Sequence, residues 1–230
     1  MGLVVVLLVA TVLVVGIGRM VYVDAMENQA HVRERLARRK RVAVAEVQEG
    51  LVRWSGRVHL TSEPLTAPVS QRPCVAYQLT VMVRDGEGGW SKALELTDAR
   101  PFILADETGQ GIVDAMSGPF AIALIPDRKD SSSLFQQESS ELSRVRGLLR
   151  AKNIPTRTAF GTDQPVKFSE AVLLPGSELS VSGSCTWEIA LDGERAGYRE
   201  LPQRIALRGT TEEPLLLSNW PDAFHEPDWT

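Results

Sequence analysis

The chain has 230 residues, 43% hydrophobic and 23% charged, with 25 Lys+Arg against 29 Asp+Glu for a formal net charge of −4. This composition excludes a disordered chain, a collagen and a disulfide-dense mini-domain, and two cysteines cannot form a four-cysteine zinc site. The acidic balance argues against a generic nucleic-acid binder, and the length allows one large domain or two small ones.

Leu3 to Ile17 is an almost unbroken run of Leu, Val, Ile and Ala, interrupted by Thr11 and Gly16. A bilayer core about 30 Å thick needs roughly 20 helical residues. Residues 2–23 meet that length if Arg19 snorkels to the interface and Tyr22 sits at headgroup depth. No Lys or Arg precedes the run and no Ala-x-Ala follows it, which argues against a cleaved secretory signal. Gly16-x-Gly18 lacks the third glycine of a dinucleotide fingerprint, because Val21 stands there. The expectation is a transmembrane helix over 2–23 that embeds the chain in a lipid bilayer.

Residues 24–49 contain no proline or glycine, and Gly50 ends them, so a basic helical stalk is expected there. Arg33, Arg35, Arg38, Arg39, Lys40 and Arg41 face Glu34 alone between positions 31 and 41, a local net of +5. The positive-inside rule then puts the N-terminus outside and the long C-terminal part in the cytoplasm. The same patch is a candidate contact for anionic lipid headgroups. Ala25, Val32, Leu36, Ala43 and Val47 form a narrow apolar stripe, which leaves self-association open.

From Gly50 the apolar period changes from helical to alternating. Val52, Trp54, Val58 and Leu60 alternate with Arg53, Ser55, Arg57 and His59. Val75, Tyr77, Leu79, Val81 and Val83 repeat the pattern. Phe102-Ile103-Leu104 and Ile112-Val113 flank the turn Asp106-Glu107-Thr108-Gly109. Phe120 to Ile125 is apolar on both faces, which predicts a central strand. Leu134 to Lys152 is predicted as one helix capped by Ser131-Ser132-Ser133. Leu179, Val181, Cys185, Trp187 and Ile189 predict an inward-facing strand, followed by strands at Ile205-Leu207 and Leu215–Leu217. The expected architecture is mainly β, an antiparallel OB-like barrel or sandwich with one inserted helix over 50–217. An extended tail is expected over 218–230.

Three blocks of residues carry a resemblance. The first is Ser55-Gly56 with Val58, then Pro64-Leu65-x-Ala67-Pro68, Arg72-Pro73-Cys74-Val75-Ala76-Tyr77 and Trp90. The second is Pro101-Phe102-x-Leu104-x-Asp106-x-Thr108-Gly109 followed by Val113-Asp114. The third is Glu170 with Leu174-Pro175-Gly176, then Val181-x-Gly183. Together they resemble the GIDE domain, also called BAM for "beside a membrane", found in mitochondrial E3 ubiquitin ligases and in bacterial membrane proteins. The resemblance implies a membrane-tethered domain that binds partner proteins. Its motif residues Gly56, Pro73, Cys74, Tyr77, Trp90, Phe102, Asp106, Gly109, Pro175, Gly176 and Gly183 read as structural. The ligases also carry a RING with eight Cys/His zinc ligands, whereas after Cys185 this sequence offers only His225. Ubiquitin ligase activity is therefore not expected.

No phosphate-binding loop, His-Glu-x-x-His, Cys-x-x-Cys or Gly-x-Ser-x-Gly occurs. No catalytic residue, cofactor or metal site is expected, although Asp106, Glu107 and Asp114 are a conceivable Ca²⁺ set. Cys74 and Cys185 read as buried thiols. Residues 50–230 carry a net of −6, which speaks against nucleic acid on the barrel. The function expected is a single-pass membrane protein, in a bacterial inner (plasma) membrane, whose cytoplasmic domain binds an unidentified protein partner. A tethered hydrolase using Asp106, Asp114 or His59, or a self-associating homo-oligomer, are the alternatives.

Overall fold

The computed structural model describes residues 29–84, 88–132, 139–157, 161–189 and 203–225. Within them no helix is long and apolar enough to cross a membrane, and the expected span over 2–23 lies outside them. The described chain is mainly β, and five of its strands close a small barrel: β1 (Gly50–Leu60), β6 (Phe102–Ala105), β7 (Gln110–Asp114), β12 (Gln203–Arg208) and β11 (Glu178–Ile189). Neighbours run β1-β6-β7-β12-β11, and β11 returns to pair with β1 from Gly50↔Cys185 to Arg57↔Glu178. All pairs are antiparallel except β7 with β12. Closure works because β1 is long: one part pairs with β11, and its end, Arg57 to Leu60, switches to β6. The alternating residues Trp54, Val58, Phe102, Leu104, Val113, Leu179, Val181 and Leu207 fill the interior.

Two excursions leave the barrel. Between β1 and β6 the chain forms β2 (Leu65–Thr66), β3 (Pro73–Cys74), β4 (Ala76–Arg84) and β5 (Trp90–Ala99). Between β7 and β11 it forms β8 (Phe120–Ala123), β9 (Arg128–Ser131), helix α2 (Ser140–Ala151) and β10 (Val166–Leu173). The excursions meet as a four-stranded sheet in the order β5-β4-β10-β9. Helix α2 lays Leu142, Val145 and Leu149 against Leu79, Val81, Val166 and Phe168 of that sheet, each such burial contributing about 1.5–3 kcal/mol. The helix is shorter than the sequence predicts. Its cap is Ser139, whose hydroxyl accepts from the Leu142 N–H, while Ser131 belongs to β9.

The strand at Phe120–Ala123 is not central. It is the edge of the larger sheet, parallel to β13 (Leu215–Ser218). It is apolar on both faces because Ile122 faces the barrel core while Ala121 and Ala123 face a helix, α1 (residues 29–37). That helix is what the structure describes of the expected stalk. Val32 and Leu36 are buried against Ala123, Leu216 and Ala223, and the helix ends before Arg38. Residues 38–49 then run without α-helix, with one 3-10 turn at Val44–Glu46 that buries Val44 on the barrel. Of the stalk expected over 24–49, the described residues 29–49 are helical only over 29–37, and that helix is packed on the domain, not free-standing. The tail is also not simply extended, since Pro221–Ala223 makes a 3-10 turn and Ala223 is fully buried.

These added layers change which β1 and β11 residues are inside. Arg53, on the expected solvent face, is 0% exposed because α1 and the tail cover it. Conversely Trp187 and Ile189 are 46% and 50% exposed. Beyond Cys185, β11 has lost β1 as a neighbour and pairs with β12 only, so its end overhangs the barrel.

Candidate functional site

The predicted basic patch is partly neutralised within the fold. Arg33 makes a two-nitrogen contact with the Asp222 carboxylate (2.5 and 2.9 Å) and lies 4.2 Å over the Trp220 ring. Arg35 and Arg39 both bond Glu213, the latter at 2.7 Å. Their guanidinium groups, Arg39's hydrogen bond first, hold the Glu213 carboxyl below its usual range. Arg38 pairs with Glu34 one turn back on the helix. Lys40 and Arg41 have no carboxylate partner among the described residues. The local net of +5, which already counted Glu34, falls to +3, because two acids remote in sequence, Asp222 and Glu213, fold against the segment.

Arg53 ties the same region together. Its guanidinium donates to the carbonyls of Leu36 and Arg39 at 2.8 Å, to those of Ala223 and His225, and to Ser180 Oγ at 3.2 Å. The end of α1 leaves carbonyls without helical partners, and a planar cation with five donors satisfies them.

An open pocket of about 800 Å³ lies where β1, the β6–β7 turn and residues 41–43 meet, lined by Arg41, Arg57, His59, Asp106, Glu107 and Glu178 among others. It brings His59 and Asp106 to one place, as a tethered hydrolase would require. Asp114 lines no part of it. The Asp106 carboxylate is already committed. One oxygen accepts the N–H of Thr108 (2.7 Å), its hydroxyl (2.7 Å) and the N–H of Gly109 (3.0 Å); the other accepts Val44 N–H at 2.9 Å. Burial pushes its pKa up, but the Thr108 hydroxyl and these backbone donors outweigh that and hold it below the ordinary value. Asp106 is therefore the clamp of the predicted β6–β7 turn and the anchor of the 43–46 segment. Asp114 is similarly bound by Ser117, Met116 N–H and Arg208 (3.1 Å), and is also held low against the effect of burial. Among the described residues no three His, Cys, Asp or Glu side chains gather as a metal-ligand set.

A carboxyl with a lowered folded pKa stabilises the fold fully above its unfolded value, near 4, and loses that contribution as pH falls through the folded value. The variant Asp106→Asn is therefore expected to be less stable than the parent at pH 7 and to lose less on acidification below pH 4. Urea midpoints at pH 7 and pH 3 measure this; an equal acid loss in parent and variant would remove Asp106 from the set of stabilising carboxylates.

Both cysteines are free and buried. Burial, then Glu170, raises Cys74 to about 11; burial, then Glu49, raises Cys185 to about 11. At pH 8 about one thiol in a thousand is then thiolate. Maleimide labelling is expected to be slow on the native chain and rapid in denaturant. Fast native labelling of either residue would contradict this placement.

The remaining motif residues take structural positions. Phe102 is core. Tyr77 is half-buried beside Leu65 and Cys74. Pro73 pairs with Thr66 in the β2–β3 ladder. Leu174-Pro175-Gly176-Ser177 is a β-turn closed by Ser177 N–H to Leu174 C=O (3.2 Å). Gly176 has φ +82°, so proline and then glycine stand where a type II turn needs them. A side chain on Gly183 would meet the Arg208 carbonyl at 2.7 Å, and one on Gly109 would press on Val44 at 3.2 Å. Trp90 lies under the Lys167 ammonium, 4.4 Å away. Glu170, 0% exposed, was legible only as a motif letter; it accepts the N–H groups of Val69 (2.7 Å) and Ser70 (2.9 Å) and so holds the 67–72 turn.

No family model matches the chain, and no curated protein or solved structure matches it.

Proposed function

We propose that this chain is a membrane-tethered binding module of the GIDE type, built on an OB-like barrel and held against the cytoplasmic side of a bacterial inner membrane. The observation that carries this reading is the packing of residues 29–47 into the domain. A segment that follows directly on an apolar stretch of membrane-spanning length is not a loose linker here. It is bolted to the barrel by Arg53, Arg33–Asp222 and the Val32/Leu36 contacts. Such an arrangement keeps the barrel close beside the bilayer.

The family resemblance is supported by how its three blocks meet. Gly176 N–H, from the third block, donates to the Val58 carbonyl of the first at 2.7 Å, and Glu170 binds the turn that follows Pro68. Gly56 packs on Ala105 beside Asp106 of the second block. The OB assignment rests on five strands, closed, with one parallel pair and excursions after the first and third strands. Binding rather than hydrolysis is favoured because Asp106 and Asp114 spend their oxygens on turns and on Arg208. Trp187 and Ile189, exposed on one face where β11 overhangs the barrel, supply an apolar surface for a protein partner.

Alkaline carbonate extraction and protease accessibility of a C-terminal tag in inverted membrane vesicles test the tether and its orientation. Retention in the pellet with tag digestion only from the cytoplasmic side is expected; release by carbonate would overturn the tether. A photo-reactive residue placed at Trp187 should form a discrete adduct with one protein in membranes, and the same residue at Lys152 should not. An adduct with a second copy of the chain would replace partner binding by self-association.

A further inference from the structure

Asp222 and Glu213 take up part of the charge expected to meet lipid, and the four-stranded sheet gathers a second cationic set. Strand register does this. Lys92 on β5 pairs with Met82 on β4, which pairs with Lys167 on β10. In the adjacent row on the same face, Thr80 pairs with Ser169, which pairs with Lys129 on β9. This is the face opposite α2, whose contacts are with Leu79, Val81 and Phe168. The three lysines, of five in the chain, line a groove of about 560 Å³ together with the hydroxyl residues Thr80, Ser131 and Ser169.

The acids nearby, Glu95 opposite Thr80 and Asp130 in the lining, offset the set only in part: three lysines against two carboxylates leave one net positive charge. Glu95 holds Lys92 at 2.5 Å. Asp130 is engaged by Ser139 Oγ and Ser131 N–H, both at 2.7 Å. Lys167 rests on Trp90, and Lys129 is exposed with no carboxylate partner among the described residues. Ammonium and hydroxyl donors converging on one hollow suit the oxygens of a phosphate ester.

The position of the groove names the source of that phosphate. Gln29, the first described residue of α1, lines the groove and bonds Gln78 of β4 at 3.0 Å. Six peptide steps separate it from Val23, a chain that reaches at most about 20 Å. We propose that this groove, formed by Lys92, Lys129 and Lys167 with Thr80, Ser131 and Ser169, binds the phosphate of an anionic phospholipid headgroup. The proposal rests on the membrane-tether reading, and it adds the sheet face to the Arg33–Arg41 segment as a lipid contact.

Lysine acetylation read by mass spectrometry tests it on the full chain in nanodiscs. The discs are phosphatidylcholine alone or phosphatidylcholine with phosphatidylglycerol. Lys129 and Lys167 are expected to react several-fold more slowly in the anionic discs, while Lys152, at the α2 C-cap on the other face, keeps its rate. Each lysine near an anionic surface is worth about fivefold in affinity, so Lys129→Gln should raise the phosphatidylglycerol fraction needed to protect Lys167 by a similar factor. Equal rates in both discs, with the chain incorporated, would overturn the groove and leave the tether standing. Protection in neutral discs by added glycerol phosphate at the same level would overturn the lipid as occupant. Failure of the chain to enter neutral discs would overturn the tether, and this occupant with it.

Discussion

Replacing Arg53 by Met is expected to destabilise the chain by about 3–5 kcal/mol, because several buried acceptors lose their donor at once. The methionine keeps most of the apolar stem but removes every donor. The carbonyls of Leu36, Arg39, Ala223 and His225 would then face an apolar wall, and a buried acceptor left unpaired costs about 1–3 kcal/mol. The loss is regional. Residues 29–47 and 219–225 should loosen before the barrel opens, read in the first of them as trypsin cleavage at Arg38, Arg39 and Lys40. Arg53→Lys should recover only part of the loss, because one ammonium cannot reach acceptors spread over a planar fork. Urea unfolding and limited proteolysis measure both effects. A Met variant within about 1 kcal/mol of the parent would mean that α1 and the tail hold without Arg53.

The second large effect is expected at Gly56. A Cβ there would stand 2.2 Å from the Ala105 carbonyl oxygen and 2.7 Å from its carbon. The obstacle is backbone, so no side chain can turn away. Gly56→Ala must push β6 off β1 where the two strands begin to pair, next to the Asp106 turn. The expected cost is about 3 kcal/mol, the upper end for overpacking. Gly147, exposed in α2 with nothing within 4 Å of where a methyl would stand, provides the opposite case. Gly147→Ala should stabilise by about 0.5–1 kcal/mol through helix propensity. Thermal unfolding of the two variants should therefore move in opposite directions. The same sign for both would show that local backbone freedom, and not the approach of Ala105, sets the Gly56 requirement.

Much of the β architecture was readable because its signals are local. Alternation marked β1, β4 and β11, and Asp106 to Gly109 marked the β6–β7 turn. Elsewhere a long-range partner changes the local rule. Strand β10 is hidden in the sequence because Glu170 interrupts its apolar alternation; that carboxylate is buried to receive two amides about 100 residues away in sequence. Strand β9, Arg-Lys-Asp-Ser, has no apolar period at all and exists as an edge paired to β10. Composition predicts helix through residue 48, yet 38–49 gain more from lying on the barrel, where Val44 N–H meets Asp106.

The candidate sites divide in the same way. The turn residues Asp106, Pro175 and Gly176 carried their roles in their chemistry, since each is selected by the conformation of its own few neighbours. The charge of the 31–41 segment did not. Arg33 finds Asp222 across 189 positions, and Arg35 finds Glu213 across 178. The lysine groove was equally invisible, because Lys92, Lys129 and Lys167 are separate in sequence and become neighbours only through strand register.

The net of −4 with its uneven distribution was a property of sequence alone, and so were the apolar N-terminal stretch, the alternating strands and the turns. Each depends on residues within a few positions of one another. Closure of the barrel, burial of Arg53, partial neutralisation of the basic segment and assembly of the lysine groove belonged to tertiary structure. They depend on loops of tens to nearly two hundred residues being closed at once, and no local pattern encodes which distant carboxylate or strand will arrive.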